Sequence, residues 1–82
     1  MQVILSKIAE KHYKKLPKTE KVKVKRKLVS LQANPLLGKK LEAELQESRS
    51  LRAWPYRIIY KVDFVRDVME VSDILHRQGA YK

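Results

Sequence analysis

Residues 51–62 constrain the fold of this 82-residue chain more than any other stretch. Their sequence, LRAWPYRIIYKV, is rich in aromatic and β-branched residues, which suit the half-buried surface of a sheet. Pro55 cannot donate a hydrogen bond to a strand ladder, so we place it at the joint between two strands. A third strand is predicted over 68–75, after the short connection 63–67. The segment therefore predicts three successive antiparallel strands.

The beginning of the chain predicts a short strand and a first helix. Residues 2–5 are apolar and could pair with the later strands, either at an edge or in the centre of a sheet. Ser6 offers a helix N-cap, and Pro17 ends the helix that follows. The apolar residues on its buried face recur at helical spacing: Ala9, Tyr13 and Leu16.

A second helix is expected from Pro17 to about Ala33, since proline is tolerated in a first helical turn. Its predicted apolar stripe is Val24, Leu28 and Leu31, widened by Val22 and Val29. The Asn34-Pro35 pair ends this helix, and residues 39–47 predict a loop with at most one helical turn.

The order of elements indicates an α+β fold of the type β-α-α-β-β-β. Helices followed by strands favour two N-terminal helices packed on one face of a small antiparallel sheet. The opposite face of such a sheet is left open. We expect that face to bind RNA or another protein.

Length and composition predict a single domain over residues 1–82 in the cytoplasm. The chain has no cysteine, so neither a disulfide framework nor a thiolate zinc site is available. The apolar start before the first charges is too short for a signal peptide or a spanning helix. His12 and His76 are far apart, and no acidic pair stands at ligand spacing around either. We therefore expect no metal, no cofactor and no membrane contact.

The net charge of +10 indicates a polyanionic partner, either a nucleic acid or an acidic protein surface. Most of the excess lies in residues 1–38, where ten lysines and arginines face two glutamates, a net charge of +8. Lys21 and Lys25 on the second helix are candidate RNA contacts. A lysine-rich helix face that is merely solvated remains the alternative.

The last strands hold the candidate catalytic cations. In the strand around Tyr56, side chains alternate, so Arg57 and Ile59 face away from Tyr56, Ile58 and Tyr60. Arg52 and Arg77 would converge on Arg57 if the three strands form a meander. Guanidinium groups around one point match a phosphate that gains charge in a transition state.

Metal-free cleavage of RNA also needs a proton acceptor for the 2′-hydroxyl and a proton donor for the departing 5′-oxygen. His76 is the candidate acid or base because histidine titrates nearest to neutrality. Tyr81 could stack on a base or donate its phenolic proton. Trp54 could stack on a base, although a core or partner contact is the favoured interpretation for it. Arg49 and Arg52 are further candidate RNA contacts.

At these residues the chain resembles the RelE/ParE superfamily of toxins from type II toxin–antitoxin systems. The resemblance rests on LRAWPYRIIYKV, on the ending ILHRQGAY with its His-Arg-x-x-x-Tyr pattern, and on Asn-Pro followed by Gly-Lys-Lys-Leu. It covers nearly the whole chain. It implies a compact sheet with two N-terminal helices, and a cognate antitoxin in a hetero-oligomeric complex. Many members of this superfamily cleave mRNA in the ribosomal A site, whereas the ParE branch poisons gyrase.

The resemblance also implies roles for single residues. It places Arg57 at the phosphate-stabilising arginine, Arg77 at the second active-site arginine, and His76 and Tyr81 at the histidine and tyrosine of the ending. Where the ribosome-dependent nuclease has two lysines on the preceding strand, this chain has Ser48 and Ser50. That departure leaves the general base unassigned.

Three functions remain open at this point. The leading one is an mRNA-cleaving toxin, because an inhibitor of an enzyme has no need of a cluster centred on phosphate. The second is a gyrase-inhibiting toxin without nuclease activity, which the absence of the two lysines favours. The third is a small basic nucleic-acid-binding module, which explains the charge but not the residues at the chain end.

Overall fold

A computed structural model of the protein describes residues 1–40 and 48–76. In chain order the elements are β1 (Gln2–Leu5), α1 (Lys7–Lys14), α2 (Lys18–Ala33), β2 (Lys39–Lys40), β3 (Ser48–Ala53), β4 (Tyr56–Asp63) and β5 (Val68–His76). Both helices pack on one sheet, so the predicted α+β class is confirmed. None of the helices in this part of the chain is long and apolar enough to cross a membrane.

The sheet is mixed, so the prediction of a purely antiparallel sheet is wrong. Its strand order is β1-β5-β4-β3-β2. The meander of β3, β4 and β5 is antiparallel as predicted, but β1 lies parallel to β5 at one edge. Sequential strands joined by short turns must be antiparallel, whereas β1 and β5 are separated by most of the chain and are free of that constraint.

Turns join the meander where the sequence indicates them. Trp54 and Pro55 connect β3 to β4, as predicted from the proline. The connection from β4 to β5 is closed by Asp63, whose Oδ1 accepts hydrogen bonds from the backbone amides of Val65 at 3.0 Å and Arg66 at 3.1 Å. This aspartate turn fixes the register between the two longest strands.

Ser6 caps α1 as predicted. Its Oγ accepts a hydrogen bond from the backbone amide of Ala9 at 3.0 Å and donates one to the backbone oxygen of Ser72 on β5 at 2.7 Å. His12 then joins α1 to β5 through an Nδ1–Oδ1 contact of 2.6 Å with Asp73. The first helix is therefore held to the strand that pairs with β1.

The buried face of α2 is narrower than predicted. Val24 and Leu31 are fully buried and Leu28 packs against the core, but Val22 and Val29 are 51% and 58% exposed. With 3.6 residues per turn, neither valine lies in line with the 24–28–31 stripe. Including them in the apolar face was wrong, because one helix face against one sheet accommodates only a single stripe.

The segment after α2 also differs from the expectation. Lys39 and Lys40 pair with Ser50 and Arg49 and form β2 at the second edge of the sheet, where a loop was predicted. An edge strand tolerates lysines, because their side chains stay in water while the backbone pairs. The rest of the predicted loop, residues 41–47, lies outside the described residues.

The core lies between the sheet and the two helices. Its buried residues come from both layers: Ala9, Leu16, Val24, Leu31, Ala53, Ile58, Tyr60, Met69, Val71 and Ile74. All of them pack on the same side of the sheet, and within residues 1–40 and 48–76 the opposite side carries no helix. We call that side the open face.

Candidate nucleic-acid interface

Strand alternation assigns side chains to the open face. Ile58 and Tyr60 of β4 are fully buried against the helices. Their neighbours Arg57, Ile59 and Lys61 therefore lie on the open face, as predicted for the first two.

Cross-strand pairing extends the open face to the other strands, because directly paired residues share a face. Three rows of residues result: Leu75, Arg57 and Arg52; then Ile59, Ser50 and Lys39; then Glu70, Lys61 and Ser48. Asp73 also pairs with Ile59, next to a register shift between β4 and β5, but its carboxylate contacts His12 of α1. Cations from three different strands thus surround the small side chain of Ser50. In the part of the chain that the structure describes, they are Lys39, Arg52, Arg57 and Lys61.

Arg52 and Arg57 lie directly opposite each other on β3 and β4. The structure therefore brings together these two of the three arginines that the sequence suggested. Like charges at directly paired positions repel. An anion between the two guanidinium groups would relieve that repulsion, and bidentate guanidinium geometry suits a phosphate. The third arginine, Arg77, lies outside the described residues, as does Tyr81.

His76 occupies the same end of the sheet as Arg57 but the other face. It pairs with Tyr56, and the two rings meet edge to face with their centroids 5.2 Å apart. Arg57 pairs instead with Leu75. Within β5, therefore, the histidine is positioned beside Tyr56 on the helix side rather than beside Arg57.

Arg49 also lies on the helix side, because it pairs with Tyr60. Its Nη1 donates a hydrogen bond to the backbone oxygen of Gly38 at 3.0 Å. A guanidinium bonded in this way supports the start of β2. Arg49 therefore does not belong to the cations of the open face.

Tyr60 also stabilises the segment that leads into β2. Its hydroxyl accepts a hydrogen bond from the backbone amide of Gly38 and donates one to the backbone oxygen of Pro35, both at 2.8 Å. Burial raises the pKa of the phenol, and the hydrogen bond from Gly38 and the charge of Arg49 partly oppose that rise.

Gly38 is required by this close approach. A Cβ on Gly38 would lie 2.7 Å from Cε1 of Tyr60, which is closer than real Cβ contacts come. The segment from Pro35 to Gly38 is therefore fixed against β4. Lys39, the next residue in the chain, consequently has a defined position on the open face.

The candidate RNA contacts on α2 face away from the open face. Lys25 is exposed and Lys21 half-buried on the helix layer. Lys23 forms an ion pair with Glu20 at 3.0 Å and donates to the backbone oxygen of Trp54 at 3.4 Å, so α2 supports the β3–β4 turn. The ring of Trp54 is 55% exposed, which excludes a core role for it.

Sequence reasoning missed Lys39 and Lys61 as members of the same surface as Arg57. Lys61 could have been found from alternation, since it stands four residues after Arg57 on one strand. Lys39 could not, because its place depends on the pairing of β2 with β3 across a connection of unknown register.

The open face can bind phosphates and stabilise negative charge. Its cations come from rigid strands, and preorganised cations are effective where charge develops in a transition state. Among residues 1–40 and 48–76, no three His, Asp or Glu side chains gather as metal ligands would.

Comparisons with known proteins point to one family. The family model described as "ParE toxin of type II toxin-antitoxin system, parDE" matches residues 3–81. No curated protein matches the chain by sequence.

Solved structures with the same fold include toxins and toxin–antitoxin complexes. A chain of the complex RelBE2 from Mycobacterium tuberculosis is 28% identical, with a TM-score of 0.84 over 93% of this chain and 96% of that one. The isolated RelE toxin of E. coli is 26% identical, with a TM-score of 0.80 over 92% of this chain and 82% of that one. A YoeB/ParE toxin from Agrobacterium tumefaciens shares the fold at 15% identity, with a TM-score of 0.82 over 93% and 98% of the two chains.

Proposed function

Because the chain belongs to the family of ParE toxins of type II toxin–antitoxin systems, we propose that it inhibits growth by cleaving mRNA at the ribosome, without a metal ion. The observation that carries this proposal is the pair of opposed arginines, Arg52 and Arg57, on a sheet face that no helix of the described residues covers. A protein that only blocks another enzyme needs no such phosphate-sized anion site. The activity belongs in the cytoplasm, where ribosomes translate.

The proposed reaction is attack of the 2′-hydroxyl on the adjacent phosphate. The 2′-hydroxyl gives up its proton to water, an O2′–P bond forms and the P–O5′ bond breaks, which leaves a cyclic phosphate and a 5′-hydroxyl. Arg57 stabilises the charge on the pentacoordinate phosphate, assisted by Arg52 and, as the family resemblance implies, by Arg77. His76 or Tyr81 donates the proton that the 5′-oxygen takes up.

Inhibition of gyrase is the second candidate function. Two observations favour it: Ser48 and Ser50 replace lysines expected of the ribosome-dependent nuclease, and His76 lies beside Tyr56 on the face opposite to Arg57. An inhibitor would use the same basic surface for binding alone.

We further propose that a cognate antitoxin neutralises the protein in a hetero-oligomeric complex. The M. tuberculosis relative belongs to a toxin–antitoxin complex, which supports this partner. The lysines of α2 suit an acidic, amphipathic segment, since complementary charge guides association. Apolar side chains exposed on the same helix, Val22 and Val29, offer it contacts that do not depend on charge.

Induced expression distinguishes the two candidate functions. We expect protein synthesis to stop and mRNA fragments to accumulate while DNA supercoiling stays normal at early times. Continued translation with collapsing gyrase activity would exclude the nuclease and establish the alternative. Purified protein added to translating ribosomes, with a chelator that binds transition metals but spares the Mg²⁺ of the ribosome, then tests whether cleavage needs a transition metal.

A further inference from the structure

We propose that Lys39 and Lys61 bind the RNA phosphates that flank the one held by Arg57, in place of lysines on β3. The inference rests on the proposed function, because it assumes that RNA occupies the open face. It concerns binding of the RNA backbone and assigns no proton transfer to either lysine.

Register brings the two lysines within reach of one strand of RNA. Lys61 and Arg57 stand on either side of Ile59, each roughly 7 Å from it along β4. Lys39 stands in the row of Ile59, two strands away through Ser50, which is roughly 10 Å. A lysine side chain is long and flexible enough to bring its ammonium group over the neighbouring residue, which is Ile59 for Lys61 and Ser50 for Lys39.

Ser50 of β3 leaves room for this, whereas Ser48 is fully buried. Ser50 lies directly between Ile59 and Lys39, and Ser48 lies opposite Lys61. Neither serine side chain is long enough to reach a phosphate above the face. Beside Arg52 of β3 itself, the described cations that can cover the middle of the open face therefore come from β2 and β4, the strands on either side of β3.

Both lysines are exposed and make no competing contact within the described residues. No ion pair or side-chain hydrogen bond there involves Lys39 or Lys61. Glu70 is paired with Lys61 across the strands, yet their charged groups are more than 4 Å apart in this structure. An ammonium group in water without a carboxylate partner is suited to a polyanion, because binding releases the counterions of the RNA.

The backbone position of Lys39 is stabilised by hydrogen bonds of the residue before it, Gly38. Both backbone groups of Gly38 are hydrogen-bonded: its amide donates to the Tyr60 hydroxyl, and its oxygen accepts from Arg49. A residue that directly follows such a fixed point loses less freedom when it binds than one in an unsupported loop.

The test uses a single-stranded RNA with 2′-O-methyl groups, which cannot be cleaved by 2′-hydroxyl attack. Its affinity is measured at several salt concentrations for wild type, Lys39→Gln, Lys61→Gln and Lys40→Gln. Lys40 is the matched control, since it is exposed on the same edge strand but pairs with Arg49 on the helix side. Far-ultraviolet circular dichroism confirms that each variant is folded.

Loss of one phosphate contact should weaken binding about eightfold at ~50 mM salt and about threefold at ~200 mM, and lower the slope of log K against log salt by about 0.7. We expect this of Lys39→Gln and of Lys61→Gln, with Lys40→Gln unchanged. In a second variant, Ser50→Lys is added to Lys39→Gln. It should restore the slope, because it returns an ammonium group to the directly paired position. Ser50 is chosen over Ser48 because Ser48 is fully buried.

The outcomes separate this inference from the proposed function. Unchanged slopes in both lysine variants, equal losses in Lys40→Gln, or no measurable binding by wild type would overturn the inference, even if the protein cleaves mRNA. Reduced slopes that are specific to Lys39 and Lys61 would support it, even if wild type cleaves no RNA and the nuclease proposal fails.

Discussion

At the scale of single residues, strand alternation decides which side chains can act together. Arg57 and His76 are close in the sheet, but the pairing of Arg57 with Leu75 and of His76 with Tyr56 sends them to opposite faces. A catalytic role for both therefore requires the substrate to pass around the end of the sheet. Arg57 with Arg52, by contrast, needs no such path.

Replacement of Arg57 tests its role in the proposed reaction. We expect Arg57→Ala to lower the cleavage rate on the order of 100-fold or more, while RNA binding weakens far less, because its contact strengthens in the transition state. Arg57→Lys should recover little, since an ammonium group cannot form the two parallel hydrogen bonds of a guanidinium. The rate is measured under single-turnover conditions.

Arg66→Ala is the matched control for that measurement. Arg66 is an exposed arginine in the β4–β5 turn, at the far end of the sheet, and we expect its loss to leave the rate unchanged. A folded Arg57→Ala protein that remains fully toxic would remove Arg57 from the mechanism.

The raised pKa of Tyr60 predicts that the protein loses stability at alkaline pH. Its pKa is raised by burial, so the folded state holds the phenol neutral at pH values where the unfolded chain, with an ordinary pKa of about 10, releases the proton. The stability that this difference contributes is complete below about pH 10 and is lost as the pH rises through the folded pKa. Urea unfolding at increasing pH measures it.

Tyr60→Phe serves as the comparison in that experiment. We expect a lower free energy of unfolding at neutral pH, by about 1–3 kcal/mol, because the Gly38 amide loses its buried partner. The variant should also show a smaller fall above about pH 10. An equal fall in both proteins would assign the alkaline transition to other groups.

At the scale of elements, one residue joins three of them. Ser6 directly follows β1, caps α1 and donates a hydrogen bond to the Ser72 oxygen of β5. Because β1 is a short edge strand whose strand partner in the described sheet is β5, this side chain and the His12–Asp73 contact fix the angle at which the first helix crosses the sheet.

Ser6→Ala should therefore cost about 1–3 kcal/mol, from a lost N-cap and a lost hydrogen bond to β5. Ser30→Ala is the control, since the Ser30 hydroxyl is exposed and only bonds back to Arg26 within α2. We expect the control to stay within about 0.5 kcal/mol of wild type in urea unfolding. A similar loss in both variants would mean that the cap contributes nothing beyond an ordinary surface serine.

At the scale of the whole molecule, the positive charge is divided between two sides of the sheet. One group lies on α2 in the helix layer, and the other on the open face around Ser50. A partner on one side need not displace a ligand on the other. We assign the α2 group to the proposed antitoxin and the open-face group to RNA.

Charge reversal on α2 tests that assignment. Lys25→Glu and Lys27→Glu change exposed residues without disturbing the Lys23–Glu20 pair that supports the β3–β4 turn. Each should slow antitoxin association and flatten its dependence on salt, with a smaller effect on dissociation. Lys40→Glu changes the net charge equally but away from α2. Identical association rates for all three variants and wild type would show that the lysines of α2 are merely solvated.

Local patterns were sufficient to predict most elements. The proline joint, the Ser6 cap and the alternation of 56–60 depend on neighbours in the chain, and each agrees with the structure. The width of the apolar face of α2 was overestimated, because periodicity does not show how much of a helix the sheet covers. The short strand β2 was missed for a similar reason, since two lysines carry no strand signal of their own.

The features of the candidate site likewise divide into those that the sequence predicted and those that only the tertiary structure revealed. Sequence by itself determined the α+β class, the meander and the identity of its arginines, because strand propensity, turns and helix caps act over a few residues. Only the tertiary structure decided that β1 lies parallel to β5, that Arg49 supports Gly38, that His76 faces away from Arg57 and that Lys39 joins Lys61 on the open face. The physical reason is register: it is set by contacts between residues far apart in the chain, and a shift of one residue would exchange the faces of every side chain on a strand.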